Sequence, residues 1–255
     1  MEPWRTAIVE SGDGQIRIRG YDVTSLMTGR TFTDTIYLLH KGRLPTLQER
    51  ALLDAILSGV ADHGSGAPSC AAARLALSGN RQSVSAAVAA GILAVGDEHG
   101  GAGSGCMEMI AAGIERAKRE SLTIAAAAER VAAELREAGR RVPGLGHRVH
   151  TRDPRTPVLF DLARRHGLAG DGILFMEAIE SVVRQTIKPL PINVDGALAA
   201  VLHDMSFPPA FGRLLFIIGR VAGLSAEVSE ELERERAMRI RIPVQYDGEP
   251  PRPLD

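Results

Sequence analysis

Cysteine is scarce: Cys70 and Cys106 are the two in 255 residues, with no C-x-x-C spacing and no matching pair of histidines. That excludes a disulfide framework and argues against a structural zinc site, so reduced thiols and no metal are expected. No apolar run reaches the roughly 18 residues that a membrane-spanning helix needs, because Arg, Glu, Gly or His interrupts every Ala- and Leu-rich stretch. The opening MEPWRTAIVESGDG carries acids and no apolar core, so no signal peptide is expected, and a cytoplasmic location is the default. Excess charge is also missing. Thirty basic residues against 31 acidic ones leave a net charge of -1, which provides no global field for nucleic acid or an anionic membrane. Any anion site must be local. Lysine is rare too: apart from Lys41, Lys118 and Lys188, the other 27 basic residues are Arg, the side chain that grips carboxylates and phosphates with two parallel donors. A genomic bias toward Arg codons explains the same count.

What is present is 45% hydrophobic sequence, rich in Ala and Gly, with 4% aromatics, enough chain for one large domain or two modest ones. Small side chains let helix backbones approach closely, so the composition suits an all-α bundle or array. Ile16–Arg19 alternates like a short strand before a turn at Gly20. Helical patterning follows: a helix capped by Thr33 and running to Lys41, then Thr46–Val60, Pro68–Leu77, Arg81–Val95, Ala102–Glu120, Thr123–Ala138, Thr156–His166, Gly172–Ile187, Val194–Met205 and Pro208–Glu235. Solenoids and strings of small domains are excluded, since the chain shows no repeat, low-complexity tract or long linker.

Polar residues concentrate at four helix boundaries, where functional groups gather. Asp62-His63-Gly64 closes a helix and reads equally as a C-terminal cap. G96-D-E-H-G-G-A102 sets two glycines beside His99, so backbone N–H groups can approach a ligand oxygen; an ordinary turn with a solvated His has the same letters. V142-P-G-L-G-H-R-V149 forces an irregular backbone just before His147 and Arg148, with Asp153, Pro154 and Arg155 close behind. K188-P-L-P-I-N-V-D195 leads to an acid that opens an apolar helix, where Asp195 is either an N-cap or a functional carboxylate. Arg220 stands apart inside L214-L-F-I-I-G-R-V-A-G-L224, because a charge on so apolar a helix is expensive unless paired.

Taken together, from R19-G-Y-D-V and F32-T-D-T-I-Y-L-L-H-K-G-R-L-P45 through H99-G-G-A, G144-L-G-H-R-V, D153-P-R and N193-V-D195 to R241-I-P-V-Q-Y-D-G248, the chain resembles the citrate synthase superfamily. The likeness is to its short members, citryl-CoA lyase and the lyase module of ATP-citrate lyase. It implies an all-α, citrate-synthase-like fold lacking the amino-terminal portion of full-length synthases. A large domain would comprise residues 1–104 and 205–255, and a smaller one residues 105–204. Shortness favours cleavage of citryl-CoA to acetyl-CoA and oxaloacetate. The intact His99, His147 and Asp195 keep citrate or 2-methylcitrate synthesis open. The His147 to Arg155 spacing is one residue below that of the synthases, which leaves a non-catalytic CoA-binding or assembly protein as the reading from another class.

The resemblance also implies roles. Asp195 handles the methyl proton of the acetyl thioester, His99 donates to the thioester oxygen and His147 acts at the oxo-acid carbonyl. His63, Arg155, Arg220 and Arg241 hold carboxylates, with Arg241 reaching across a homodimer or tetramer. Val142, Pro143, Gly144, Leu145 and Gly146 cradle coenzyme A, helped by Arg152 and Lys188. The CoA thioester is a substrate, no cofactor is permanently bound, and a citryl-CoA synthetase subunit is a conceivable partner.

Overall fold

The computed structural model describes residues 2–146 and 153–253. Among these residues it contains eleven helices and one small antiparallel sheet of order β1-β2-β3, formed by Val9–Gly12, Gln15–Ile18 and Tyr21–Asp22. The expected strand is therefore the middle one of three, and Arg19 lies outside it. Arg19 and Gly20 form a two-residue turn with φ of 50° and 85°, and Asp13 and Gly14 form the other with 50° and 72°. Such left-handed turns match the twist of paired strands. The Arg19 guanidinium then reaches the Leu39 carbonyl at 2.8 Å and pins the sheet to the helical body.

α1 (Val23–Gly29) is capped by the Asp22 carboxylate, which accepts the N–H groups of Thr24 and Ser25. α2 (Phe32–Lys41) and α3 (Leu47–Val60) each open with a capping box, Thr31 with Asp34 and Thr46 with Glu49. Thr33 is thus not the cap of α2. It is buried in the first turn, two residues beyond the cap, where its hydroxyl donates to Asp54 Oδ1 at 2.8 Å. α4 (Pro68–Gly79) starts on a proline, and α5 (Val84–Leu93) is capped by Ser83, shorter at both ends than its apolar run implied. α6 (Ala102–Arg119), α7 (Ile124–Glu137), α8 (Arg155–Arg165), α9 (Asp171–Thr186), α10 (Val194–Asp204) and α11 (Ala210–Arg234) complete the fold. Asp204 accepts the N–H groups of Gly170, Gly172 and Ile173 and so fastens the end of α10 to the start of α9.

The main core gathers around α10, which is buried on every side from Gly196 to Leu202 and packs against α6, α8 and α9. This explains its unbroken run of apolar and small residues. α11 lies along α3, α4, α5 and α6, and a second, smaller core of Cys70, Ala73, Leu77, Ala87, Leu224 and Val228 joins α4, α5 and α11. At Gly223 a β-carbon would fall 2.1 Å from the Ala61 carbonyl oxygen, so the absence of a side chain there lets α11 touch the end of α3. That contact brings Arg220 beside the polar segments that follow α3. Among the described residues, no helix is long and apolar enough to cross a membrane.

Candidate active site

Between α5 and α6, Gly96 and His99 exchange backbone hydrogen bonds of 2.9 and 3.0 Å, and Gly101 donates to the same Gly96 carbonyl. This tight turn holds His99 half-buried against the edge of Phe216. Its Nε2 lies 2.9 Å from Ser69 Oγ and accepts the Ser69 N–H at 3.3 Å. A ring nitrogen that accepts a backbone N–H leaves Nδ1 as the nitrogen able to donate.

Ser69 Oγ also accepts from Arg220 Nη1 at 3.0 Å, so one fully buried hydroxyl joins the two functional groups. Arg220 is 2% exposed. Its Nε donates to the Val60 carbonyl at 3.0 Å and its guanidinium sits 4.7 Å over the Phe216 ring, but it forms no ion pair among the described residues. A buried cation with only neutral contacts costs several kcal/mol of desolvation, and a bound anion offsets that cost.

Asp195 occupies the first turn of α10, but it is not the cap. Asn193 is, and its side-chain oxygen accepts the Gly196 N–H at 3.1 Å. The helix-cap reading of Asp195 therefore falls, because a neighbour already satisfies that donor. Asp195 Oδ1 is shut off from solvent and has no hydrogen-bond partner among the described residues. Burial pushes its carboxyl up to about 6, with Arg155 and Arg220 pulling it down and Asp153 adding to the rise. A carboxyl that is buried and unpartnered, and that sits within the field of two arginines, is poised for proton transfer.

The loop 142–146 folds against the approach to α10. Gly146 N–H donates to the Pro191 carbonyl at 2.8 Å, Asn193 N–H to the Gly144 carbonyl at 3.0 Å, and Asn193 Nδ2 to the Gly146 carbonyl at 2.7 Å. Gly144 has φ of 80°, and a β-carbon there would lie 2.7 Å from both Cys106 Sγ and Gly196 Cα. Only glycine fits, and this is how the loop 142–146 and the proline-stiffened segment 188–193 lock the aim of Asp195. Glu180 accepts the Ile192 N–H and Thr156 donates to the Ile192 carbonyl, which bracket the same segment from α9 and α8. The buried Cys106 thiol beneath is pushed up by desolvation and by Asp195, and so stays protonated.

Arg155 is already engaged. Its Nε and Nη2 meet the two oxygens of Asp153 at 2.9 and 2.8 Å, and Nη1 donates to the Gly59 carbonyl at 3.0 Å. Asp153 is 0% exposed; burial alone would raise its carboxyl, but Arg155 and the Val194 N–H hold it below the usual range. A substrate carboxylate at Arg155 would use the remaining guanidinium hydrogens.

The structure thus brings His99, Arg220, Arg155, Asp195 and the Val142–Gly146 loop to one region. Exposed His63 follows Asp62, whose carboxylate accepts the Gly64 N–H beside the α3 and α11 contact. Lys188 and Arg241 are exposed on the segments after α9 and α11. His147 and Arg152 lie outside the described residues. As site residues, Ser69, Glu180 and Cys106 escaped the sequence reading, since each makes its contact across twelve positions or more, and neither Pro68-Ser69 nor Ile179-Glu180 carries a local signal. Asp62, Cys70 and Glu227 bring ligand-type atoms within 4.8 Å of one another, yet Cys70 bonds Asp62 and Glu227 bonds Arg74, so the group is internally satisfied.

Residues 47–241 match the family described as citrate synthase, C-terminal domain. The chain belongs to the citrate synthase family. Citryl-CoA lyase from Hydrogenobacter thermophilus is 38% identical, with 100% of this chain and 98% of that chain covered and a TM-score of 0.89. ATP citrate lyase from Methanothrix soehngenii, solved with citrate and coenzyme A, shares the fold at 19% identity, TM-score 0.76, over 97% of this chain and 43% of that one. The glyoxysomal citrate synthase of Cucurbita maxima is 30% identical over 209 residues, 78% of this chain and 38% of its own length. The chain spans about a third of the length of the curated synthases it matches, 30% of that from Haloferax volcanii and 38% of citrate synthase 2 from Bacillus subtilis.

Proposed function

We propose that this chain is a citryl-CoA lyase-type enzyme that splits citryl-CoA into acetyl-CoA and oxaloacetate. The observation that carries the reading is likeness across the whole of both chains to a citryl-CoA lyase at 38% identity and a TM-score of 0.89, whereas the glyoxysomal synthase extends well beyond its matched region and the citrate synthase of Thermotoga maritima, aligned over 95% of its chain, reaches a TM-score of only 0.61. The geometry supports the chemistry. His147 takes the proton from the citryl hydroxyl as the carbonyl of oxaloacetate forms and the adjacent carbon–carbon bond breaks. The electron pair moves into the thioester, where the Nδ1–H of His99 stabilises the enolate oxygen. Protonated Asp195 then gives its proton to the carbon and leaves acetyl-CoA. Arg220, Arg155, His63 and Arg241 hold the carboxylates, and the buried, unpaired charge of Arg220 makes it the anchor. The Val142–Gly146 loop, Arg152 and Lys188 receive the coenzyme A portion, with no permanent cofactor.

Closure of residues 105–204 over the large domain would exclude water from the enolate. A homodimer, or a tetramer built from it, would cover the exposed apolar side chains of α4 and α5, among them Leu93, 85% exposed, Val84 and Leu75. In that assembly Arg241 completes the partner's site, and the enzyme works in the cytoplasm with or without a citryl-CoA synthetase subunit.

Condensation in the synthase direction, with acetyl-CoA or its longer homologue, is the second reading, favoured by the 30% identity to a synthase over 209 residues. One experiment separates them. The protein is incubated with citryl-CoA, and separately with acetyl-CoA plus oxaloacetate, and the products are followed by mass spectrometry. Acetyl-CoA from the first mixture with little free CoA from the second supports the lyase; the reverse supports the synthase. Silence in both, with no saturable heat on titrating CoA, would leave a non-catalytic protein.

A further inference from the structure

α11 ends at Arg234 with Glu235 as its C-cap, and the chain reverses through residues 236–238, where Met238 adopts φ of 54°. Two contacts hold that reversal. The Met238 N–H donates to the Ser78 carbonyl at 2.8 Å, and Arg239 folds back so that its Nε meets Glu231 Oε1 at 2.8 Å while its Nη2 bonds Oε2. Glu231 is 0% exposed and also accepts from Arg74 Nε of α4 at 2.9 Å. Arg74 in turn pairs with Glu227 and lies 3.3 Å from Glu230, and Arg239 lies 3.0 Å from Glu235. One buried carboxylate thus clamps two guanidinium groups, one from α4 and one from the tail.

Both oxygens of the buried Glu231 carboxylate meet the Arg239 guanidinium fork, and Arg74 holds that carboxylate in place from α4. A left-handed non-glycine residue such as Met238 persists only where its surroundings over-determine it. Arg241 lies two residues further on, within about 7 Å of extended chain, so a change of direction at Arg239 is passed to it almost undiminished. We propose that Arg239 is a positioning residue, whose latch onto Glu231 sets the direction in which the tail leaves α11 and so aims Arg241 at the substrate carboxylate. The proposal rests on the reading above that Arg241 meets the substrate.

The test is a double-mutant cycle on the full chain with citryl-CoA as substrate, reading KM and kcat apart, with thermal stability and oligomeric mass as controls. Arg239→Ala is expected to raise KM by about tenfold or more with a smaller change in kcat, as misplacement of a binding group does. Arg239→Lys, which keeps the charge and loses the fork, should fall between and serves where the alanine variant folds poorly. The double variant Arg239→Ala/Arg241→Ala should be no worse than Arg241→Ala alone, because Arg239 acts only through Arg241. Additive effects, or an unchanged KM in both Arg239 variants while Arg241→Ala raises it, would overturn the latch and leave the functional reading standing. An unchanged KM in Arg241→Ala would remove that reading and the latch together.

Discussion

Asp195 and Arg220 are the two residues whose burial is least explained by the fold itself, and each gives a separate prediction. Asp195→Asn should lower turnover on the order of a hundredfold to ten-thousandfold, since an amide neither gives nor takes the proton. Its effect on stability depends on pH. The folded-state pKa of about 6 lies above the ordinary carboxyl value of 3.8. Asp195 therefore stabilises the fold fully below the unfolded value, and that contribution is lost as pH rises through about 6. Asn does not ionise, so relative to wild type the variant should gain stability between pH 4 and pH 8, by roughly 2–3 kcal/mol for a shift of this size. Thermal melts of both proteins at the two pH values measure it, and parallel curves would contradict the buried, unpaired carboxylate. For Arg220→Met, removal of a desolvated cation without a counter-ion should leave the ligand-free protein as stable as wild type or more so. The rise in melting temperature on adding oxaloacetate should vanish, because that rise tracks ligand affinity.

At the scale of elements, the start of α10 is held by Asn193 and by the loop 142–146. Asn193→Ala should cost about 1 kcal/mol as a lost cap and, by loosening the first turn, reduce kcat more than that stability change alone explains. Gly144→Ala is the harsher change. Its β-carbon meets both Cys106 Sγ and Gly196 Cα at 2.7 Å, in a backbone conformation that disfavours any side chain. A loss of roughly 1–3 kcal/mol in denaturant unfolding is expected, together with a raised KM for the CoA thioester. Most helices were legible because their signals are local: Thr46 with Glu49, Pro68 at a first turn, Thr123 before an apolar face. The hairpin before Arg19 was less so. Asp13-Gly14 is a strong two-residue turn signal, but the flanking strands are only four residues each and mostly exposed, so the alternation that marks a half-buried strand is weak.

For the whole molecule, the direction of reaction is tested at the Asp195 carboxyl and the state of assembly at the exposed end of α5. If cleavage is the working direction, Asp195 must begin protonated, and kcat/KM for citryl-CoA should decline as pH rises above about 6. Condensation requires the ionised form and should decline below that value, so a pH profile in each direction tests the carboxyl independently of substrate identity. Substituting Leu93→Arg on α5 should reduce the assembled mass in sedimentation while the isolated fold persists, because a charge placed on an apolar contact disfavours association, not the chain's own core.

The sequence alone determined the helical class and most helix bounds, and it marked Arg220 as a charge out of keeping with its apolar helix, while His99, Asp195 and Arg155 drew their roles from the family resemblance. The helix bounds and the Arg220 signal are expressed within a few neighbouring positions, as a cap, a period or a charge in an apolar run. It could not decide between a cap and a functional acid at Asp195, because Asp serves equally well as either. Tertiary structure removed the cap reading by giving that role to Asn193, and it closed Oδ1 off from solvent. It likewise supplied Ser69 between His99 and Arg220, partners 30 and 151 positions away along the chain. Hydrogen bonds of that reach leave no periodic trace in a sequence, since they depend on where helices cross and not on the order of residues within them.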